Sequence, residues 1–365
     1  MTKNNEMAVM GGEDNAVSMA AYRDAILEIL ETKENLMVLG MPGIGKTQLP
    51  GQVAQERGIG FIRIVLPQYE EVDMKGVPEI SEKKKTVFYP ADVLPQEERD
   101  GKVGILLIDE APSAKPSVQV IAHELMDSRK LGSLYELPEG WVIVLTGNTG
   151  DDGAYTHEIP TTVRTRCGAG VVALEVTVDE WCKWAQDTGR VTPEVISYVK
   201  KNEFIDFDPN SPDCNYCIPR TLESVSKYLV FCKAHGRNPE KNRLVGIIGK
   251  KQGTKLYGWW KIASMVPDPD AIMAGTEHTV PESSDLQYCT MVTLISRLSR
   301  LGAEKDVVVK ARRVVAYANT MPNDIAMAFA NDLLTTAVWE KNRAKLSRSE
   351  EWLEFAAKHG KDLTF

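Results

Sequence analysis

Short, mainly apolar runs recur along the first half of the chain, separated by stretches in which apolar residues return at helical spacing. Parallel strands that are covered by helices on both faces are apolar on both sides, so this alternation predicts a buried parallel sheet within an α/β domain. The predicted strands are residues 36–39, 61–66, 105–108, 142–145 and 171–174.

The strand signal fades after residue 177, and helical patterns follow. Before the sheet, residues 18–32 also have the apolar spacing of an amphipathic helix. Further helices are predicted at 178–186, 193–201, 220–233, 286–301, 305–319, 324–341 and 349–359. Residues 267–281 are rich in Pro, Asp and Gly, which indicates a loop or linker. We therefore expect a flexible leader (1–16), an α/β core (17–177), a helical lid (178–270) and a helical C-terminal region (282–365).

Composition agrees with a globular protein of two or three domains: 365 residues, 43% hydrophobic and 26% charged. No run approaches the roughly 20 apolar residues of a membrane span, and the first residues are polar and acidic, so we expect a cytoplasmic protein without a membrane association. The net charge of −8 argues against a surface dominated by phosphate contacts. It does not exclude a local basic patch.

The six cysteines are scattered, and only Cys214 and Cys217 have C-x-x-C spacing. A structural zinc site normally needs four ligands, and no second pair or nearby histidine completes the set. We expect reduced thiols here rather than a metal site.

Residues 40–47 (GMPGIGKT) match the pattern G-x-x-x-x-G-K-[ST], directly after a predicted strand and before a predicted helix. In such a loop the glycines let backbone N–H groups surround phosphates. Lys46 would neutralise phosphate charge, and the Thr47 hydroxyl would bind Mg²⁺. The predicted nucleotide-contacting residues are Gly40, Pro42, Gly43, Ile44, Gly45, Lys46, Thr47 and Gln48.

The apolar strand at 105–108 ends in two acids, Asp109 and Glu110. Burying adjacent carboxylates is costly unless a cation or a polarised water compensates. Beside a phosphate loop, Asp109 is expected to hold Mg²⁺ and Glu110 to orient and deprotonate the attacking water. The alternative is an exposed acidic turn.

These two motifs, together with residues 142–148 (VIVLTGN), resemble the core of AAA+ ATPases, specifically the MoxR and dynein-related branch found in bacterial and phage genomes. Residues 73–78 (DMKGVP), 88–90 (FYP) and 109–116 (DEAPSAKP) fit the same resemblance, which covers about residues 36–270. It implies a P-loop NTPase core with a helical lid, ATP and Mg²⁺ as ligands, and a ring, most commonly of six subunits.

The resemblance also implies roles for single residues. Asn148 would contact the γ-phosphate and the lytic water, although Asn148 could also be an ordinary turn residue. Arg166, or its rival Arg164, would project into the neighbouring subunit's site as an arginine finger, and either could instead be a surface residue. Arg220, after Pro219 at a predicted helix start, would contact the γ-phosphate from the lid.

Three other segments have plainer interpretations. The glycine-rich stretch 246–253 lacks the order of a phosphate loop and is expected to be a lid helix. Trp259 and Trp260 are expected in the core. Residues 76–90 and 128–138 resemble the two hairpins that this AAA+ branch inserts into its core. Lys83, Lys84 and Lys85 could contact a substrate from the first hairpin, or could form a solvated turn.

The functional expectation is a MoxR-like ATPase ring that remodels a partner protein, commonly one with a von Willebrand A-type domain. The alternative is a DNA-directed AAA+ motor or loader in phage replication or packaging. A third hypothesis, a ring that binds ATP as a structural switch, is disfavoured by Glu110. The acidic charge and the lack of a recognisable DNA-binding motif in the sequence favour the first.

Overall fold

A computed structural model of the chain describes residues 15–80, 86–89, 91–132, 135–148, 161–202, 215–302 and 304–359. These residues form two compact units, and the chain passes from the first to the second between Val176 and Thr177. Each unit is described by itself below.

The first unit contains ten strands and six α-helices among its described residues. The strands are β1 (Ala16–Val17), β2 (Leu36–Leu39), β3 (Gly60–Val65), β4 (Val77–Ile80), β5 (Thr86–Tyr89), β6 (Val103–Asp109), β7 (Lys130–Leu131), β8 (Tyr135–Glu136), β9 (Gly140–Gly147) and β10 (Val171–Leu174). The helices are α1 (Met19–Thr32), α2 (Gln48–Arg57), α3 (Glu71–Lys75), α4 (Glu97–Asp100), α5 (Pro116–Ser128) and α6 (Thr161–Arg164).

Six strands form one parallel sheet in the order β1-β10-β2-β9-β6-β3. All five predicted strands are in this sheet, so the prediction of a parallel α/β core is confirmed. The edge strand β1 was not predicted, because two residues carry no periodicity. Ala16 pairs with Ala173 of β10.

The sheet is buried on both faces, as its apolar strands require. Alternate residues of the central strands point to opposite sides, so Leu106 and Ile108 enter one apolar cluster while Ile105 and Leu107 enter the other. Helix α5 packs in the first cluster, and α1 and α2 pack in the second. The carboxyl ends of β2, β9 and β6 are thereby fixed side by side.

Both predicted insertions are hairpins. Strands β4 and β5 pair in antiparallel fashion, as do β7 and β8. The lysines at 83–85 lie outside the described residues, so their role as a substrate contact stays a hypothesis.

The second unit is helical in every described segment. Its helices are α7 (Val178–Thr188), α8 (Pro193–Asn202), α9 (Pro219–Ala234), α10 (Lys241–Ile248), α11 (Lys250–Ala263), α12 (Pro269–Ala274), α13 (Ser284–Leu301), α14 (Val307–Ala318), α15 (Asn323–Leu334), α16 (Ala337–Leu346) and α17 (Glu350–His359). Within the described part of the chain, no helix combines the length and the apolar character needed to cross a bilayer.

Three expectations for the second unit were wrong in detail. The single helix expected at 324–341 is two helices, because Thr336 caps α16 by accepting a hydrogen bond from the backbone N–H of Trp339 at 3.2 Å. The segment expected to be a loop contains α12, which Asp268 caps. The glycine-rich stretch is two helices separated at Gly249 (φ 82°), not one. Trp259 is buried, as predicted, whereas Trp260 is half-buried.

Candidate functional site

The phosphate loop connects β2 to α2, as its sequence predicts. Gly40, Gly43 and Gly45 have φ values of 153°, 79° and 109°, a region that L side chains rarely adopt. A Cβ atom on Gly40 would lie 2.8 Å from the carbonyl oxygen of Leu174. The glycines are therefore required by the turn itself. Ile44 anchors the loop in the core, where it is 5% exposed.

Lys46 is buried within this loop, and its ammonium is held in place. Its Nζ donates hydrogen bonds to the carbonyl oxygens of Gly40 (2.5 Å) and Met41 (2.8 Å) and to Oδ1 of Asn148 (2.9 Å). Asn148 directly follows β9, which lies between β2 and β6 in the sheet. Two residues predicted from separate motifs are thus in direct contact.

Tyr22, a residue of α1 outside every motif, contacts the backbone at the end of the loop. Its side chain is fully buried, and its hydroxyl donates to the carbonyl oxygen of Lys46 at 2.9 Å. Burial, and secondarily the charge of Asp109, raises the pKa of Tyr22 far above its usual range. The phenol is therefore a permanent donor. The sequence offered no signal for this role beyond an apolar position on a predicted helix.

Thr47 and Asp109 lie together at the end of the loop. Asp109 is 4% exposed, and Oγ1 of Thr47 lies 3.2 Å from both of its carboxylate oxygens. A hydroxyl and a carboxylate are the oxygen ligands that Mg²⁺ accepts, so this pair fits the metal. Among the described residues, no group of three His, Cys, Asp or Glu side chains could hold an ion. A magnesium ion here would complete its shell with waters and phosphate oxygens.

Two further residues fix the Asp109 carboxylate, and neither was predicted. Arg63 donates to Oδ2 from Nε (3.0 Å) and Nη2 (2.6 Å), while the hydroxyl of the fully buried Thr146 donates to Oδ1. Val65 of β3 pairs with Asp109 of β6. Arg63 is two residues before Val65, so its side chain lies on the same face of the sheet as that of Val65. The available signal was a cation inside an otherwise apolar strand.

Glu110 is exposed, although it is the immediate neighbour of the buried Asp109. Its backbone has φ 55°, in the left-handed region, and begins a short 3₁₀ turn at Ala111–Ser113. The backbone N–H of Ser113 donates to the Glu110 carbonyl oxygen at 2.9 Å. The change of backbone conformation gives the two acids different surroundings, one among hydrogen-bond donors and one facing solvent.

The two candidate fingers have different environments in the first unit. Arg166 donates from Nε to Oδ1 of Asp127 at 2.8 Å, and this hydrogen bond lowers the pKa of Asp127. Arg164 ends α6, and its buried Nε has no hydrogen-bond partner among the described residues. Neither role is tested by these contacts.

Two predicted residues belong to the second unit. Arg220 is exposed at the second position of α9, which begins at Pro219 as expected. Its phosphate-sensing role stays a prediction. Cys217 is buried and forms no disulfide bond among the described residues, whereas Cys214 lies outside them.

The sheet order, the glycine loop between β2 and α2, and the acid at the end of β6 together decide the fold class. The first unit is an α/β P-loop NTPase domain. No protein-family model matches the chain, and no curated protein sequence matches it.

Solved structures give weak similarities. RuvB from Thermotoga maritima is 13% identical, with 80% of this chain and 84% of that chain covered and a TM-score of 0.40. NtrX from Brucella abortus in complex with ADP is 15% identical, with coverages of 94% and 67% and a TM-score of 0.38. The same protein in complex with ATP is 14% identical, with 89% of this chain and 67% of that chain covered and a TM-score of 0.38.

Proposed function

We propose that this protein is a Mg²⁺-dependent ATPase of the AAA+ type. The observation that supports it best is the convergence of Lys46, Thr47, Asp109 and Asn148 at the carboxyl ends of neighbouring parallel strands. Nucleotides bind at this edge of open α/β sheets, where loop amides and a helix N-terminus meet phosphate.

Each residue has a task that its surroundings suit. Lys46 and the loop amides would hold the β- and γ-phosphates, and Thr47 and Asp109 would hold Mg²⁺, which when bound neutralises phosphate charge. Glu110, exposed beside the site, would orient a water and accept its proton. Asn148 would exchange its contact with Lys46 for the γ-phosphate or that water.

We further propose that the chain works in a ring, with six subunits as the resemblance to MoxR-like ATPases implies. Arg166, or Arg164, would enter the neighbouring subunit's site, where such a finger contributes about 10³ to 10⁵ in rate. Arg166 would have to leave Asp127 to do so. The finger is the arginine whose Ala variant is inactive alone and regains hydrolysis when it is mixed with Lys46→Ala chains. In such a mixed ring, the intact arginine of a Lys46→Ala chain lies beside the intact site of an Arg166→Ala or Arg164→Ala chain.

The work of the ring, in this proposal, is the remodelling of a partner protein in the cytoplasm, with a von Willebrand A-type domain as the partner the resemblance implies. A DNA-directed motor or loader remains the second candidate. One observation favours it, the strongly basic character of residues 227–261 in a chain of net charge −8.

The deciding experiment compares two acids. Glu110→Gln should bind Mg–ATP and fail to hydrolyse it, because the amide cannot accept the proton from water. Glu136→Gln, an exposed acid on β8, should leave hydrolysis unchanged. Lys46→Ala should lose nucleotide binding. Wild-type turnover by Glu110→Gln would refute the assignment, and proteins retained by that variant in the presence of ATP are candidate partners.

A further inference from the structure

One segment of the second unit has a charge opposite to that of the whole protein. Residues 227–261 contain nine of the 43 Lys and Arg residues and one of the 51 Asp and Glu residues, which leaves 34 and 50 for the other 330 residues. All nine cations are exposed. They are Lys227, Lys233, Arg237, Lys241, Arg243, Lys250, Lys251, Lys255 and Lys261.

The cations lie on one packed group of three helices and on the connection between the first two. Helix α10 packs against both α9 and α11. At the α10–α11 contact, Gly253 allows close approach, since a Cβ atom there would lie 2.6 Å from the backbone of Val245. Eight of the nine exposed cations are on these three helices, and Arg237 is in the connection between α9 and α10; we call this set of nine residues the basic face.

Several of these cations lie at unfavourable positions for the fold. Lys241 and Arg243 are in the first turn of α10, and Lys250 and Lys251 begin α11, while neither first turn contains an acid. A helix N-terminus carries a partial positive charge, so cations there reduce helix stability. An anionic partner bound at this face would reverse that effect.

A groove between α9 and α10 places aromatic surface among the charges. It is lined by Lys227, Tyr228, Phe231 and Arg243, with Glu240 as its one acid. Phe231 is 49% exposed, and its ring packs on His235 with 4.2 Å between centroids. Exposed aromatic rings beside cations are the combination that proteins use to bind nucleic-acid bases and backbone together.

We propose that the basic face binds the phosphate backbone of nucleic acid. The nine cations are exposed in a segment that contains one acid, and one of them, Lys227, pairs with Glu223 at 2.9 Å. Such a cationic surface matches a regularly repeated anion, and Phe231 offers a ring on which a base can stack. An acidic protein would satisfy the charges and leave that ring without a function. The inference names a partner for the proposed ATPase. The basic face lies wholly in the second unit, and its binding of nucleic acid requires no ATP.

The test uses the full-length chain carrying Lys46→Ala, without ATP, so that the result is independent of the proposed hydrolysis. Fluorescence anisotropy of labelled 30-nucleotide single-stranded DNA and of a 30-base-pair duplex is measured between about 50 and 200 mM salt, the range over which phosphate contacts are lost. Binding to at least one of them is expected, with an affinity that falls steeply with salt.

Replacing Lys241, Arg243 and Lys255 together by Gln should weaken binding at least about tenfold and reduce the log–log salt slope by about 3 for duplex, since each phosphate contact contributes about 0.9. The matched control replaces Lys341, Arg343 and Lys345, exposed on α16, by Gln and should bind as the parent does. The control variant should keep the parent's melting temperature, and the Lys241, Arg243 and Lys255 variant should melt no lower than the parent, because two cations are removed from a helix N-terminus.

Two outcomes would overturn the proposal: no binding of either DNA at 50 mM salt, or equal loss in the two triple variants. If neither DNA binds and labelled polyglutamate does, the basic face has an acidic protein as its partner. Hydrolysis by the otherwise unmodified chain is measured separately, so failure of the proposed ATPase and failure of the basic face are distinguishable.

Discussion

Replacing Thr146 by Val is expected to weaken the binding of Mg²⁺ while leaving the phosphate loop intact. The Thr146 hydroxyl is fully buried and donates to Oδ1 of Asp109, the carboxylate proposed to hold the metal. Valine has nearly the same shape as threonine and no hydroxyl. The substitution therefore removes one hydrogen bond and creates little new space.

The expected magnitude follows from what Asp109 retains. Its carboxylate would still accept from Thr47, Arg63 and the backbone N–H of Glu110. A hydrogen bond to a charged group contributes about 1.5–3 kcal/mol, which is about 10- to 100-fold in an equilibrium constant. Loss of a partner that orients a metal ligand typically reduces metal affinity by about the same factor.

The assay titrates Mg²⁺ against binding of a fluorescent ATP analogue and against ATP hydrolysis. Thr146→Val should raise the Mg²⁺ concentration needed for half-maximal signal about 10- to 100-fold, and saturating Mg²⁺ should restore turnover. Thr146→Ser retains the donor and should stay within about threefold of wild type. The reasoning is refuted if the Val variant shows the wild-type Mg²⁺ dependence, or if the Ser variant shifts as far as the Val variant.

Three other predictions follow from described contacts. Arg63→Met should shift the same Mg²⁺ titration the opposite way, by up to about fivefold, because a half-exposed guanidinium no longer competes for Asp109; a weaker Mg²⁺ affinity would contradict this. Gly40→Ala should abolish nucleotide binding and leave the circular dichroism spectrum unchanged. Gly246→Ala should bind nucleotide as wild type does, because a Cβ atom at Gly246 meets no other atom within 4 Å. Burial raises the pKa of the Cys182 thiol to about 12, and all five described cysteines are buried, so at most one of six thiols should react rapidly with Ellman's reagent at pH 8 before unfolding.

The parts of the site that the sequence predicted are those carried by contiguous segments. The phosphate loop, the strand ending in Asp109 and the strand before Asn148 each combine an apolar run with a chemically distinctive end. Because the carboxyl ends of parallel strands meet at one edge, predicting the strands was enough to predict that these residues converge. In the structure Lys46 contacts Asn148 and Thr47 contacts Asp109, while their roles toward a nucleotide stay predictions.

The missed residues act across the sheet or between layers. Arg63 and Thr146 reach Asp109 over 46 and 37 positions of the chain, and Tyr22 reaches Lys46 over 24. These contacts depend on strand register and on how α1 packs, neither of which leaves a local pattern. The break between α15 and α16 was missed for a related reason: Val338 and Trp339 continue the apolar spacing into the same core, which concealed the cap at Thr336.

The left-handed backbone at Glu110 implies a conflict between stability and activity. A residue with a Cβ atom at such a φ costs about 1–2 kcal/mol, and asparagine tolerates the conformation better than glutamate. Glu110→Asn should therefore make the folded chain harder to unfold while removing the proposed base. With Glu110 as the proposed base, this position carries a residue that suits turnover and lowers the stability of the turn.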